Sequence, residues 1–131
     1  SRKKIKVYDN GKQIRDWIHV EDNIKAILIA SFLGKVGESY NVGGENSLMN
    51  IQLVEKIVNY ITFGKFDINK KKFNYLNLLE NVPDRLGHDR KYSIDSSKIK
   101  KNLNWQPKSN FEKALKTTID WHILRYNKKN L

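Results

Sequence analysis

Apolar positions along the first half of the chain change period several times, and each change marks an element. Ile5 to Tyr8 reads as a short strand, and Asp9-Asn10-Gly11 is turn chemistry, because Asn-Gly tolerates positive φ. Gln13 to Val20 then alternates as a second strand. Ile14, Asp16, Ile18 and Val20 share one face, and Arg15, Trp17 and His19 the other, so Arg15 is displayed beside an aromatic ring and an imidazole. Glu21-Asp22 opens a helix to about Leu33, with Ile24, Ile27, Leu28 and Ser31 on its stripe and Gly34 and Gly37 as its stop. Ser39 to Val42 predicts a short strand broken by Gly43-Gly44. Asn50 suits the N-cap of a further helix, on which Ile51, Val54, Ile57, Val58 and Ile61 keep the 3.6 period until Gly64.

The second half is more polar. Lys65 to Lys72 is a charged loop, and Phe73 to Leu76 and Tyr92 to Ile94 are short candidate strands around the turn-rich run from Val82 to Arg90. Asp95 is expected to cap a short helix reaching Leu103, and Trp105 and Pro107 mark a connection. Ser109-Asn110-Phe111-Glu112 forms a capping box. The last helix then runs to about Asn127, with Phe111, Ala114, Leu115, Thr118, Ile119, His122, Ile123 and Tyr126 on its stripe, and His122 is expected there as a packed or capping side chain. The class is α/β, with short strands between helices.

At 131 residues the chain is the size of one domain and small for an enzyme that must hold both a dinucleotide and a substrate. The absence of cysteine excludes a disulfide scaffold, a thiolate metal site and a cysteine nucleophile, and fits a cytoplasmic location. The longest apolar stretch, Ala26 to Ala30, is far short of a membrane span, and no signal peptide is visible, since Ser1-Arg2-Lys3-Lys4 leads into a strand-like segment. The chain begins at Ser1 without Met, which suggests that residue 1 is not a natural start. The formal net charge is +11, with 25 basic side chains of which only five are Arg. A Lys- and Asn-rich composition of this kind reads as solvated lysine faces, and no nucleic-acid partner is expected, since base readers favour Arg.

The candidate chemistry narrows quickly. His19, His88 and His122 have no partner at metal-ligand spacing. Gly34-Lys35-Val36-Gly37 lacks a third glycine and ends a helix where a dinucleotide loop would open one. Tyr8 and Lys12 match Tyr-x-x-x-Lys, but a turn lies between them, and that pair needs one helical face. What remains is a set of anion-binding groups: Arg15 on a strand face, Asn50 at a helix start, and Arg85 with His88 in a polar loop. Arg15 could equally pair with a carboxylate, Asn50 could only cap its helix, and Asp84-Arg85 could be a plain turn.

Four segments taken together resemble the dTDP-glucose 4,6-dehydratases of the extended short-chain dehydrogenase/reductase group. Val7 to Asp22 is similar to V-Y-G-x-G-x-Q-I-R-D-W-x-x-V-E-D, and Tyr40-Asn41-Val42-Gly43-Gly44-Glu45-Asn46 with Asn50 to Y-N-I-G-G-x-N-E-x-x-N. Asp84-Arg85-Leu86-Gly87-His88-Asp89-Arg90 with Tyr92, Ile94 and Asp95 is similar to D-R-P-G-H-D-R-R-Y-A-I-D. Leu103, Trp105 and Pro107, then Phe111-Glu112 and Lys116 to Trp121, resemble the closing L-G-W-x-P, F-E and K-T-x-x-W-Y. Leu86 and Lys6 stand where those enzymes have proline, Asp9 where they have glycine, and His122 where they have tyrosine.

The resemblance implies an NAD-dependent lyase of Rossmann-like fold that turns dTDP-glucose into dTDP-4-keto-6-deoxyglucose and water. It implies substrate contacts from Lys6, Val7, Tyr8, Arg15, Asn50, Asp84, Arg85, Leu86, Gly87 and His88, with dTDP-glucose as partner, no membrane partner and a homodimeric full-length protein. The glycine-rich cofactor loop, the helical Tyr-x-x-x-Lys pair and the acid–base carboxylates of that family are absent. Residues 1–131 are therefore expected to be its substrate-binding carboxyl-terminal portion, inactive alone, with the Tyr40-to-Gly44 strand left without the Rossmann sheet it would join. A related nucleotide-sugar epimerase or decarboxylase, or a basic non-catalytic binding module, are the alternatives.

Overall fold

The computed structural model describes residues 4–66 and 75–129. In chain order the elements are β1 (Ile5–Tyr8), β2 (Ile14–Asp16), α1 (Val20–Leu33), β3 (Ser47–Met49), α2 (Asn50–Phe63), β4 (Leu79–Val82), α3 (Ser97–Leu103) and α4 (Phe111–Lys129). Single 3-10 turns cover Asp9–Gly11 and Tyr75–Leu78. Two small ladders organise the chain. β1 and β4 run parallel, Ile5 opposite Leu79 and Tyr8 opposite Val82, while β2 and β3 run antiparallel with Arg15 opposite Leu48.

The turn after β1 takes the expected positive φ, 53° at Asn10 and 71° at Gly11. Gly11 is required twice over. Its φ is left-handed, and a Cβ there would lie 2.8 Å from Ile51 Cβ and 2.9 Å from Val7 Cγ1. Tyr8 and Lys12 straddle this turn and share no helical face. Gly64, at φ 69°, ends α2 and donates its N–H to the Tyr60 carbonyl at 2.8 Å.

The core gathers Ala26 of α1, Ile99 of α3 and Trp105, with Ile18, Ile29, Tyr40, Val42 and Leu103 packed around them. This reverses the expected orientation of α1. Asp22 and Ala26 are buried and Ile29 half-buried, whereas Ile24, Ile27 and Leu28 are each about half exposed. Phe32 beyond them is 81 % exposed. The small residue Ala26 faces α3 because it allows close helix packing, so the bulkier stripe points away from this core.

Several boundaries differ from expectation. The second strand stops at Asp16, because its partner β3 is only three residues long and His19 is already the extended N-cap of α1. Residues 39–42 form no strand: Tyr40 and Val42 rest on the core, and no ladder partner lies beside them among the described residues. The ladder that does form there, β3, was too short to show periodicity. Asn50 is the first residue of α2 and gives its N–H to the Gln13 carbonyl at 3.0 Å, while Gln52 Oε1 accepts from Met49 N–H.

In the second half, Leu79–Val82 is the strand and Tyr75–Leu78 a 3-10 turn, while residues 67–74, including most of the charged run and Phe73, lie outside the described residues. Tyr92 to Ile94 makes no strand, since only Lys91 bridges to Ile14. Asp95 Oδ1 accepts from Ser97 N–H, although Ser96 occupies the cap position. Asn110 caps α4, its Oδ1 accepting from Lys113 N–H at 3.1 Å. His122 is exposed, edge-on to Trp121, because the distal half of α4 runs clear of the rest of the molecule.

Ser109, ahead of the Asn110 cap, donates its N–H to buried Asp22 Oδ2 at 2.9 Å, joining the start of α1 to the approach of α4. Burial works to raise the Asp22 carboxyl, but hydrogen bonds from Ser109 and the Lys108 backbone, with the charge of Lys25, outweigh it and hold it below its ordinary 3.8. A lowered folded value favours folding at higher pH, and that contribution disappears as pH falls through it. Asp22→Ala should therefore cost about 1–3 kcal/mol at neutral pH, the range for orphaning a buried donor. The difference in urea midpoint from wild type should close below pH 3.8. A gap that persists in acid would refute this role.

Candidate functional site

The parallel pairing of β1 and β4 brings Tyr8 beside Val82, so the loop after β4 leaves from the same edge as the Asn-Gly turn. That loop then lies along β2. Arg90 accepts from Ile14 N–H at 2.8 Å, and the Ile14 carbonyl accepts from Tyr92 N–H at 3.2 Å. Backbone bonds on both sides of Ile14 thus fix residues 90–92 beside Gln13 and Arg15.

Arg15 spreads its guanidinium over this loop. Nη1 donates to the Ile14 carbonyl at 2.7 Å, and Nη2 to the Asp89 carbonyl at 2.9 Å. Nη2 also lies 2.7 Å from His88 Nε2, and the guanidinium carbon sits 4.2 Å above the Tyr92 ring. Arg85 approaches from the other side, with Nη2 3.0 Å from the same His88 Nε2 and its guanidinium 5.7 Å from the Tyr8 ring. Among the described residues no carboxylate pairs with either guanidinium.

His88 is held from behind. Its Nδ1 lies 2.7 Å from Asp84 Oδ1, which also accepts from Arg85 N–H at 2.8 Å. Asp84 Oδ2 accepts from Gln13 Nε2 at 2.6 Å. Burial works to raise the Asp84 carboxyl, but the hydrogen bonds from His88, the Arg85 backbone and Gln13 prevail and keep it below its ordinary value. A carboxylate that accepts Nδ1–H leaves Nε2 of a neutral ring as a lone pair, which suits the two guanidinium donors facing it.

Tyr8, Arg15, Asp84, Arg85 and His88 therefore converge, and the alternative in which Arg15 pairs with a carboxylate is not realised among the described residues. Gly87 supplies the positive φ, 71°, of the turn that returns His88 towards Asp84. Asn50 stands one residue from the cluster through its bond to the Gln13 carbonyl, and its Oδ1 is buried without a partner. Val7 is buried, while Lys6 and Leu86 are exposed. Gln13 and Tyr92 are marked by the sequence pattern only as strand or motif positions, not as site residues. Gln13 shares the strand face of Arg15, and that alternation was the available signal.

The Gly43-Gly44 loop has a different task. Asp16 Oδ2 accepts from Gly44 N–H and Oδ1 from Asn46 N–H, both at 2.8 Å, and Ser96 Oγ takes Gly43 N–H at 2.8 Å. Its donors are spent on the chain itself. A separate apolar cleft of about 240 Å³ lies between α2 and α4, lined by Leu53, Ile57, Phe111 and Leu115 among others, and none of the clustered cations reaches it. Among the described residues no group of three or more metal-ligating side chains gathers, and no helix is long and apolar enough to cross a membrane.

A family model described as GDP-mannose 4,6 dehydratase matches residues 1–118. A dTDP-glucose 4,6-dehydratase of Escherichia coli is 38% identical over 125 residues, covering 95% of this chain and 34% of that protein. The crystal structure of dTDP-glucose 4,6-dehydratase from Bacillus anthracis in complex with NAD matches with a TM-score of 0.74 at 40% identity, covering 92% of this chain and 34% of its own. That of the dehydratase DesIV from Streptomyces venezuelae, with NAD and dTDP bound, matches at 0.77 and 29% identity, covering 97% and 35%. The class these likenesses define is one of fold: the chain is similar to part of the NAD-binding, Rossmann-like extended short-chain dehydrogenases. The chain belongs to the GDP-mannose 4,6 dehydratase family. It spans about a third of the length of the curated relatives it matches.

Proposed function

We propose that residues 1–131 are the substrate-binding, carboxyl-terminal portion of an NAD-dependent dTDP-glucose 4,6-dehydratase. The observation that carries this reading is the convergence of Arg15 and Arg85, both without a carboxylate partner among the described residues, on one imidazole nitrogen. Two planar, multi-donor cations aimed at one point suit a diphosphate, whose oxygens accept from both forks. Tyr8 and Tyr92 wall the site, and the unpartnered Asn50 Oδ1 supplies an acceptor nearby. The relatives' dehydratase names favour this over the epimerase or decarboxylase alternative.

The whole enzyme would oxidise C4 of dTDP-glucose, eliminate water across C5–C6 and return the hydride to C6. NAD would be the hydride carrier, but the described residues do not fit it. Gly34 and Gly37 follow the end of α1 where a cofactor loop would open a helix, and the N–H groups of Gly43 and Gly44 are already taken. The role of this chain is to bind and orient the diphosphate, and alone it turns nothing over. The exposed stripe of α1 and the unladdered segment 39–42 supply surfaces on which the remaining two-thirds of such an enzyme would pack. A homodimeric, cytoplasmic enzyme completes the proposal.

Titration of the chain with dTDP and with random-sequence DNA at two salt concentrations tests this. Saturable dTDP binding is expected. Salt-steep DNA binding without dTDP binding would establish the basic-module alternative instead. Dehydration of dTDP-glucose by the isolated chain plus NAD would overturn the claim that it is inactive alone.

A further inference from the structure

Gln13, 2 % exposed, is one of three buried polar or charged side chains among the described residues, with Asp22 and Asn59, and it and Ile99 are the largest side chains so deeply buried. Its Nε2 donates to Asp84 Oδ2 at 2.6 Å, while its Oε1 is buried and accepts from nothing. Turning the amide over would set Oε1 against a carboxylate oxygen, so the observed orientation is the one the site imposes. An amide that leaves a buried acceptor unsatisfied is a poor way to fill a core, where a thioether of equal length would be more favourable. The donor is what the position needs.

The need appears one bond further on. Asp84 uses its second oxygen to hold His88 Nδ1, and His88 Nε2 receives Arg15 and Arg85 at 2.7 and 3.0 Å. Two guanidinium groups repel, and both can aim at one nitrogen only while that nitrogen is a lone pair. If the proton moved to Nε2, a donor would face two donors and the forks would separate. The contacts span the molecule, with Gln13 and Asp84 71 residues apart and Arg15 and His88 73.

We propose that Gln13 is a positioning residue for the diphosphate site: its amide orients Asp84, Asp84 selects the Nδ1–H tautomer of His88, and that tautomer holds both arginines on one target. This rests on the diphosphate reading above and extends it to a residue that never touches the ligand. Gln13→Met keeps the length of the side chain and removes the donor.

The experiment uses the full chain, with ring-nitrogen NMR of His88 at about pH 8, where an ordinary imidazole is neutral, and dTDP titration as second readout. Wild type should show one tautomer. Gln13→Met should show a mixture and bind dTDP about tenfold more weakly, the scale of one hydrogen bond to a charged group, with its thermal midpoint little changed. A single tautomer retained in Gln13→Met, or a lower midpoint with unchanged affinity, overturns the proposal. If Gln13→Met does not fold, the pair Gln13→Glu and Gln13→Glu/Asp84→Asn decides. The single change opposes two carboxylates and should lose the tautomer. The double change restores an amide-to-carboxylate bond of reversed polarity and should recover it, and failure to recover it overturns the proposal. Absence of dTDP binding in wild type defeats the diphosphate reading alone, because the tautomer is measured without ligand.

Discussion

Gly44→Ala should leave the chain largely unfolded. A Cβ at this position would lie 2.1 Å from the Trp17 carbonyl oxygen, 2.6 Å from its carbon and 2.8 Å from Ile18 Cα, all backbone atoms. Neither side can yield. Trp17 N–H is tied to the Asn46 carbonyl at 3.0 Å, and Asp16 grips Gly44 and Asn46 through both carboxylate oxygens. Moving the loop away breaks these bonds and lifts Val42 from the core. Overpacking against fixed backbone belongs at or beyond the upper end of the usual range, about 3 kcal/mol or more, a large share of the stability of any small domain. Gly37→Ala is the comparison. Its φ is 83° but a Cβ there meets open space, so it should cost only about 1 kcal/mol of backbone strain. Urea titrations followed by circular dichroism measure both. A wild-type midpoint for Gly44→Ala would show that the loop is not the clamp described above.

Arg15→Ala should lower dTDP affinity about 100-fold, the consequence of removing a forked cation from a partly dry site. Arg85 would remain, but His88 would lose one of its two donors and the loop its anchor over Tyr92. Arg15→Lys should recover little, because an ammonium cannot serve the Ile14 and Asp89 carbonyls and a phosphate at once. Lys35→Ala, at an exposed cation paired with Glu38, controls for general charge and should bind as wild type does. Titration calorimetry on the folded variants separates affinity from stability. Equal losses in Arg15→Ala and Lys35→Ala would mean that net charge, not this site, attracts the nucleotide.

The chemistry of the site was partly legible in advance. Arg15, Arg85 and His88 were recognisable by residue type, since a strand arginine and a polar loop with Arg and His are sensible anion ligands. Asp84 was legible only as a member of a turn and of a resemblance. Gln13 was invisible as a functional side chain, because its significance lies in a partner 71 residues away. The neutral acceptor between two guanidiniums is a property of the assembled cluster. No single segment contains it.

Local physics needs only neighbours in the chain, and where it governs, the sequence was sufficient. It determined β1 to the residue, the positive φ of the Asn-Gly turn, the stop at Gly64 and the extents of α1, α2 and α4 to within about two residues. Tertiary structure decided whatever requires a second segment. A strand exists only beside a partner, which is why residues 39–42 lie unladdered and Ser47–Met49 pairs with β2. A periodic stripe shows that a helix has two faces without saying which face meets this core. In α1 it is the narrow side of Asp22 and Ala26, because Ile99 and Trp105 pack closely only where side chains are small.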